Sequence, residues 1–141
     1  MKINPVKHMA VKVCFRNDDG ELTSAEPDIR KSFLRTIYRK GHLVRPPLGK
    51  LFVFDSLKNA LIYRKFDSTC YEFWLVEAYN AKPLSYRPYM WMVTSDNKDF
   101  LSIFWKRVFN GDNLENATGT DTGVLACDSL RLVRKLTAAD A

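Results

Sequence analysis

The chain has 141 residues, a formal net charge of +6, 46% apolar residues and 13% aromatic residues, which excludes a disordered chain and allows one domain with a substantial core. No apolar run approaches the roughly 18 residues that cross a bilayer, and the N-terminal segment lacks the apolar core of a signal peptide, so a cytoplasmic protein without a membrane span is expected. Cys14, Cys70 and Cys127 are odd in number and scattered among apolar or aromatic neighbours, the pattern of reduced core thiols rather than of a disulfide framework or a metal site.

Residues 1–8 read as an unstructured leader, because alternation begins only at Met9. From Met9 to Phe15 apolar odd positions alternate with Ala10, Lys12 and Cys14, the period of a half-buried strand. Asn17-Asp18-Asp19-Gly20 reads as a turn. Ser24 to Asp28, with Pro27 among them, reads as a helix start. Ile29, Phe33, Leu34, Ile37 and Tyr38 then gather on one half of a helix that Gly41 ends. On that helix Lys31, Arg35 and Arg39 fall at i, i+4 and i+8, a cationic stripe opposite the apolar half.

The stripe belongs to a wider cluster. Between Asp28 and Asp55 the chain carries Arg30, Lys31, Arg35, Arg39, Lys40, Arg45 and Lys50, and no acidic residue. Residues 1–50 hold 11 basic against 5 acidic residues, whereas basic and acidic residues balance over 51–141, so the net charge resides in the first third. Solvated faces usually interleave both signs, and a field concentrated this way attracts phosphate or an acidic protein face.

His42-Leu43-Val44-Arg45 and Pro46-Pro47-Leu48-Gly49 follow as a basic surface loop, since paired prolines suit neither a helix interior nor a central strand. Leu51-Phe52-Val53-Phe54 reads as a short strand, and Asp55 or Ser56 as the cap of a second helix containing Leu57, Ala60 and Leu61. Tyr71 to Tyr79 is a long strand on which Glu72 and Glu77 fall on opposite faces, which argues against a paired-carboxylate glycosidase. Pro83 and Pro88 bracket a loop, Met90 to Thr94 reads as a strand, and Ser95 or Asp96 caps a third helix with Phe100, Leu101, Phe104, Trp105 and Val108 on one face. Gly111 to Thr122 is polar and too long for a tight turn. Gly123 to Leu136 alternates again, with Asp128-Ser129 as a bulge, and residues 137–141 read as a free tail. The expected fold is therefore a single α+β domain over residues 9–136, with an antiparallel or mixed sheet of about five or six strands and three helices.

The absence of HExxH, GxGxxG, GxxxxGK and GxSxG motifs argues against most motif-bearing enzymes, and no metal site is expected. Gly49-Lys50-Leu51-Phe52-Val53-Phe54-Asp55-Ser56, followed by Ala60 and Tyr63, resembles the strand-then-helix segment of small ADP-ribosyltransferase-like domains. The order of elements over residues 38–136, ending in Gly123-Val124-Leu125-Ala126-Cys127-Asp128, is similar as well. The resemblance implies a split sheet with an NAD cleft, His42 or Arg45 near the dinucleotide and Tyr63 near the nicotinamide. Asp128 would stand where these enzymes usually place a catalytic Glu, with a side chain one methylene shorter.

The residues themselves favour a non-enzymatic binding module without a cofactor. Lys31, Arg35, Arg39, Lys40, Arg45 and Lys50 would contact a nucleic-acid backbone or an acidic protein surface. The alternatives are an ADP-ribosyltransferase-like enzyme or pseudoenzyme binding NAD, with His42, Tyr63 and Asp128 at its site, and a protein-interaction domain that uses Tyr86-Arg87-Pro88-Tyr89-Met90-Trp91.

Overall fold

The computed structural model describes residues 6–25, 35–47, 50–63, 66, 70–83, 87–88, 117–118 and 123–141. One nine-stranded sheet contains β1 (Lys7–Arg16), β2 (Leu22–Ser24), β3 (Ile37–Tyr38), β4 (Leu43–Val44), β5 (Leu51–Phe54), β6 (Tyr71–Tyr79), β7 (Lys82–Pro83), β10 (Val124–Cys127) and β11 (Ser129–Leu136). A separate pair joins β8 (Arg87–Pro88) to β9 (Ala117–Thr118). The one α-helix among the described residues is α1 (Leu57–Tyr63), and Ala138–Asp140 form a 3-10 turn.

The sheet closes on itself. Its hydrogen-bonded order is β4-β11-β6-β1-β5-β10-β7, in which β7 continues β6 and β11 continues β10 along the chain. Ser129 pairs with Tyr79 and Ala126 with Lys82, so β6–β7 and β10–β11 form one bent antiparallel ladder in a single register. The bend falls at Asn80 and Asp128. Asn80 takes a left-handed φ of 56°, which Asn tolerates better than most residues. Its Nδ2 donates to Asp128 Oδ2 at 2.9 Å, and the Asp128 N–H donates to the Tyr79 carbonyl at 3.0 Å. At the other end the segment after β3 returns to the outer edge of β11, through Lys40 beside Leu132 and Leu43 opposite Arg131.

Closure creates an inside and an outside. The interior cluster takes Ala10 and Cys14 from β1, Leu22 from β2, Tyr38 from β3, Val44 from β4, Leu51 and Val53 from β5, Trp74, Val76 and Ala78 from β6, Leu125 and Cys127 from β10, and Leu130 and Leu132 from β11. The alternate residues Val11, Val13 and Phe73 face outward and are covered by Leu57, Ala60 and Leu61 of α1 and by Phe66. Each large side chain removed from water this way contributes about 2 kcal/mol. A β-bulge lets β11 serve both layers: Leu132 pairs with Val76 but Arg134 with Leu75, so Val133 is the extra residue. Past it the even positions change sides, and Leu136 joins the outer cluster.

The α1 start follows its sequence, since Ser56 Oγ accepts the Asn59 N–H at 3.2 Å as a helix cap. Behind it Gly123, at φ +81°, leaves no room for a Cβ, which would collide with the Asp55 and Asn59 side chains.

The expectation of an α+β domain with three helices and five or six strands is overturned, because the described structure is mostly strand with one short α-helix. Residues 35–40 are extended rather than helical, the proposed third helix falls outside the described residues, and the sheet has nine strands. The cause is tertiary. Thr36-Ile37-Tyr38 is rich in β-branched and aromatic residues, and pairing with Leu22–Ser24 outweighs the helical spacing of its apolar residues. The strands absent from the expected set, β2, β3, β4 and β7, have two or three residues each, too few to display a period. The N-terminal boundary also moves, because β1 begins at Lys7, which pairs with Tyr79. Instead of a free tail, the C-terminal residues form the 3-10 turn, where Asp140 meets Arg134 at 3.0 Å.

Candidate functional site

Residues 35–45 form a cationic ribbon along the sheet. Thr36, Tyr38 and Val44 are buried, while Arg35, Ile37, Arg39, Leu43 and Arg45 are exposed, the two-residue period of extended backbone. Between β3 and β4 the His42 N–H donates to the Arg39 carbonyl at 3.1 Å, and the Gly41 N–H ties the turn to β11 through the Leu132 carbonyl at 3.0 Å. Gly41 adopts φ +81°, a conformation glycine accepts without strain. The turn leaves Lys40 and His42 in solvent. Arg131, exposed on β11, stands opposite Leu43 and so shares its face. Among the described residues, Arg35, Arg39, Lys40, Arg45 and Arg131 form no ion pair.

Several other cations are engaged within the fold. Arg16 grips Glu72 through Nε and one terminal nitrogen, both at 2.9 Å, and donates to the Gly20 carbonyl at 2.8 Å. Glu72 also accepts the Trp74 indole N–H at 3.1 Å and has Lys135 at 4.0 Å. The Arg16 hydrogen bond, foremost among these contacts, holds the Glu72 carboxyl below the ordinary Glu range. Lys12, on the interior face, donates to the Phe52 carbonyl at 2.7 Å and lies 5.6 Å from the centre of the Tyr38 ring. Lys50 pairs with Asp128.

That last contact brings two candidates together. Asp128 is a corner residue, bound by Lys50 and Asn80 where both long strands bend. Burial acts to raise its pKa, but the bonds from Lys50 and Asn80 and the charges of Lys50 and Lys82 outweigh it and hold the carboxyl below the ordinary Asp range. Lys50 therefore serves the corner and stands apart from the exposed set. His42 occupies the β3–β4 turn. Tyr63 ends α1, which packs over β1 and β5, so the two lie on elements that do not pair. Lys31 and the Tyr86–Trp91 segment, apart from the Arg87–Pro88 strand, fall outside the described residues. Arg131 escaped the sequence reading because acidic residues balance the basic ones in its third of the chain. The alternation of Leu130 and Leu132 around it was the signal that it faces outward.

Burial pushes the Cys14 thiol up to about 12 and the Cys127 thiol up to about 11, which leaves neither available as a thiolate nucleophile at neutral pH. Among the described residues no three His, Cys, Asp or Glu side chains gather as metal ligands would, and no helix is long and apolar enough to cross a membrane. No family model, curated protein or solved structure matches the chain.

Proposed function

We propose that this chain is a non-enzymatic binding module that holds a polyanionic partner, a nucleic-acid backbone or an acidic protein face, along Arg35, Arg39, Lys40 and Arg45 with Arg131 beside them. The observation that carries the reading is the gathering of exposed cations on one extended stretch. Arg35, Arg39, Lys40 and Arg45 lie exposed within eleven residues and form no ion pair among the described residues, whereas Arg16, Lys50, Arg134 and Lys135 meet carboxylates within the fold. Charges of one sign within a Debye length of about 8 Å repel each other at physiological salt. A polyanion laid along the ribbon relieves that repulsion and releases its own counterions. Basic residues on an extended edge rather than on a helix stripe are the form in which the fold presents this charge.

The test is fluorescence anisotropy with labelled mixed-sequence DNA, mixed-sequence RNA and polyglutamate at two salt concentrations, on the native chain and on the Arg39→Glu/Lys40→Glu variant. Binding that weakens steeply with salt and at least about tenfold in the variant is expected. No binding to any of the three at low salt overturns the reading. The NAD-binding alternative separates in the same series, since saturable NAD binding lost in Tyr63→Ala and kept in the double variant would favour it.

A further inference from the structure

We propose that the bare half of the outer sheet face docks an acidic protein surface with aliphatic side chains at its centre; this rests on the polyanion reading above and names the partner. The outer face of β1, β6, β11 and β4 divides in two. Val11, Val13 and Phe73 lie in the covered half, packed with Leu57, Ala60 and Leu61 of α1. Two residues along β1 from Val11, and so on the same face, a second row begins. Met9 pairs with Glu77, Glu77 with Arg131, and Arg131 with Leu43. Arg131 lies between the interior residues Leu130 and Leu132, and Leu43 precedes the interior Val44, so both face outward with Met9. The row crosses four strands, a span of about 14 Å. It stands bare, with Met9 45% and Leu43 43% exposed.

The side chains specify the occupant. Beside the row Lys7 pairs with Tyr79, whose hydroxyl donates to Glu77 Oε2 at 2.8 Å, and Arg45 lies two positions beyond Leu43. Met, Tyr and Arg are types that protein interfaces concentrate. Lys7, Arg45 and Arg131 set three cations against the single carboxylate of Glu77, a balance that attracts an acidic face. A phosphate backbone or an anionic lipid surface would bring its charge onto Glu77 in the middle of the row, and a phosphate backbone would leave Met9 and Leu43 unused. A protein surface can present carboxylates to the cations, a donor to Glu77 and aliphatic groups to Met9 and Leu43 at once. A second copy of this face is disfavoured, because it would bring cation against cation.

The experiment compares two labelled peptides of about fifteen residues on the native full chain. One is an amphipathic Glu/Leu peptide, and the other is the same peptide with Ser in place of every Leu, which keeps the charge and removes the apolar face. Labelled mixed-sequence DNA and vesicles of phosphatidylserine and phosphatidylcholine run alongside. Binding of the Glu/Leu peptide at least about tenfold tighter than the Glu/Ser peptide and than DNA or vesicles is expected. Met9→Ser/Leu43→Ser should abolish that preference and leave Glu/Ser binding unchanged, which also reports that the variant is folded. Equal binding of the two peptides, or a preference kept in the variant, overturns docking on this face while leaving the polyanion reading intact. Tighter binding of DNA or of vesicles does the same. Failure of every probe at low salt removes both.

Discussion

Arg16 and Arg39 carry the same group on the same closed sheet and use it in opposite ways. Arg16 closes two hydrogen bonds of 2.9 Å to Glu72 and a third of 2.8 Å to Gly20, and its carboxylate partner is only 11% exposed. Arg39 sits in an exposed turn without an ion-pair partner among the described residues. The first guanidinium stitches β1, the following turn and β6 together, so its charge is neutralised within the fold. The second keeps its charge for the surroundings. Net charge counts both alike, and only the first is a matter of stability.

Removing a paired carboxylate should produce the largest effect. Glu72→Ala strands the Arg16 guanidinium and deprives the Trp74 indole of its acceptor, and about 2–3 kcal/mol of unfolding free energy should be lost in urea titration. A loss below about 0.5 kcal/mol would mean that Arg16 is as free as Arg39 and would dissolve the contrast. Acid should act through the same groups. The folded-state pKa values of Glu72 and Asp128 are lowered, so their contribution is fully present above the ordinary carboxylate range and is lost as pH falls through the lowered values. The urea midpoint should drop between about pH 6 and about pH 3, and Glu72→Gln should flatten that dependence.

Asp128→Ala tests the corner. It frees Lys50 and Asn80 at a partly exposed site, and a loss of about 1–2 kcal/mol is expected in thermal unfolding. Any NAD-dependent activity that vanished without this loss of stability would assign Asp128 a catalytic role. The smallest stability effect belongs to the ribbon. Arg39→Glu/Lys40→Glu should change unfolding free energy by no more than about 0.5 kcal/mol, yet should lower the slope of log affinity against log salt by about 2 for any phosphate-bearing ligand that both residues contact. A large loss of stability here would assign these cations to the fold and remove the basis of the proposed function.

Much of the outer framework was legible in the residues. β1, β5, β6 and the β10–β11 run announce themselves because a two-residue period sustained over four or more positions has few other interpretations. α1 shows itself through Ser56 and the spacing of Leu57, Ala60 and Leu61. The stretch before Gly41 misleads because Lys31, Arg35 and Arg39 satisfy both readings: residues four apart share a helix face and also lie on one side of a strand. Asp128 entered as a candidate only through the resemblance, which puts it where a catalytic Glu is usual. Its partners Lys50 and Asn80 are 78 and 48 positions away, where no local pattern reaches.

The sequence by itself determined that the first third is basic, that the long strands alternate and that three cysteines remain thiols, since these follow from composition and from the period of a pleated backbone. Tertiary structure decided the rest. Which cations find carboxylates and where the strands bend both depend on pairs brought together only when the sheet closes on itself. The energy of those pairs lies in contacts between distant residues, so no window of sequence contains it.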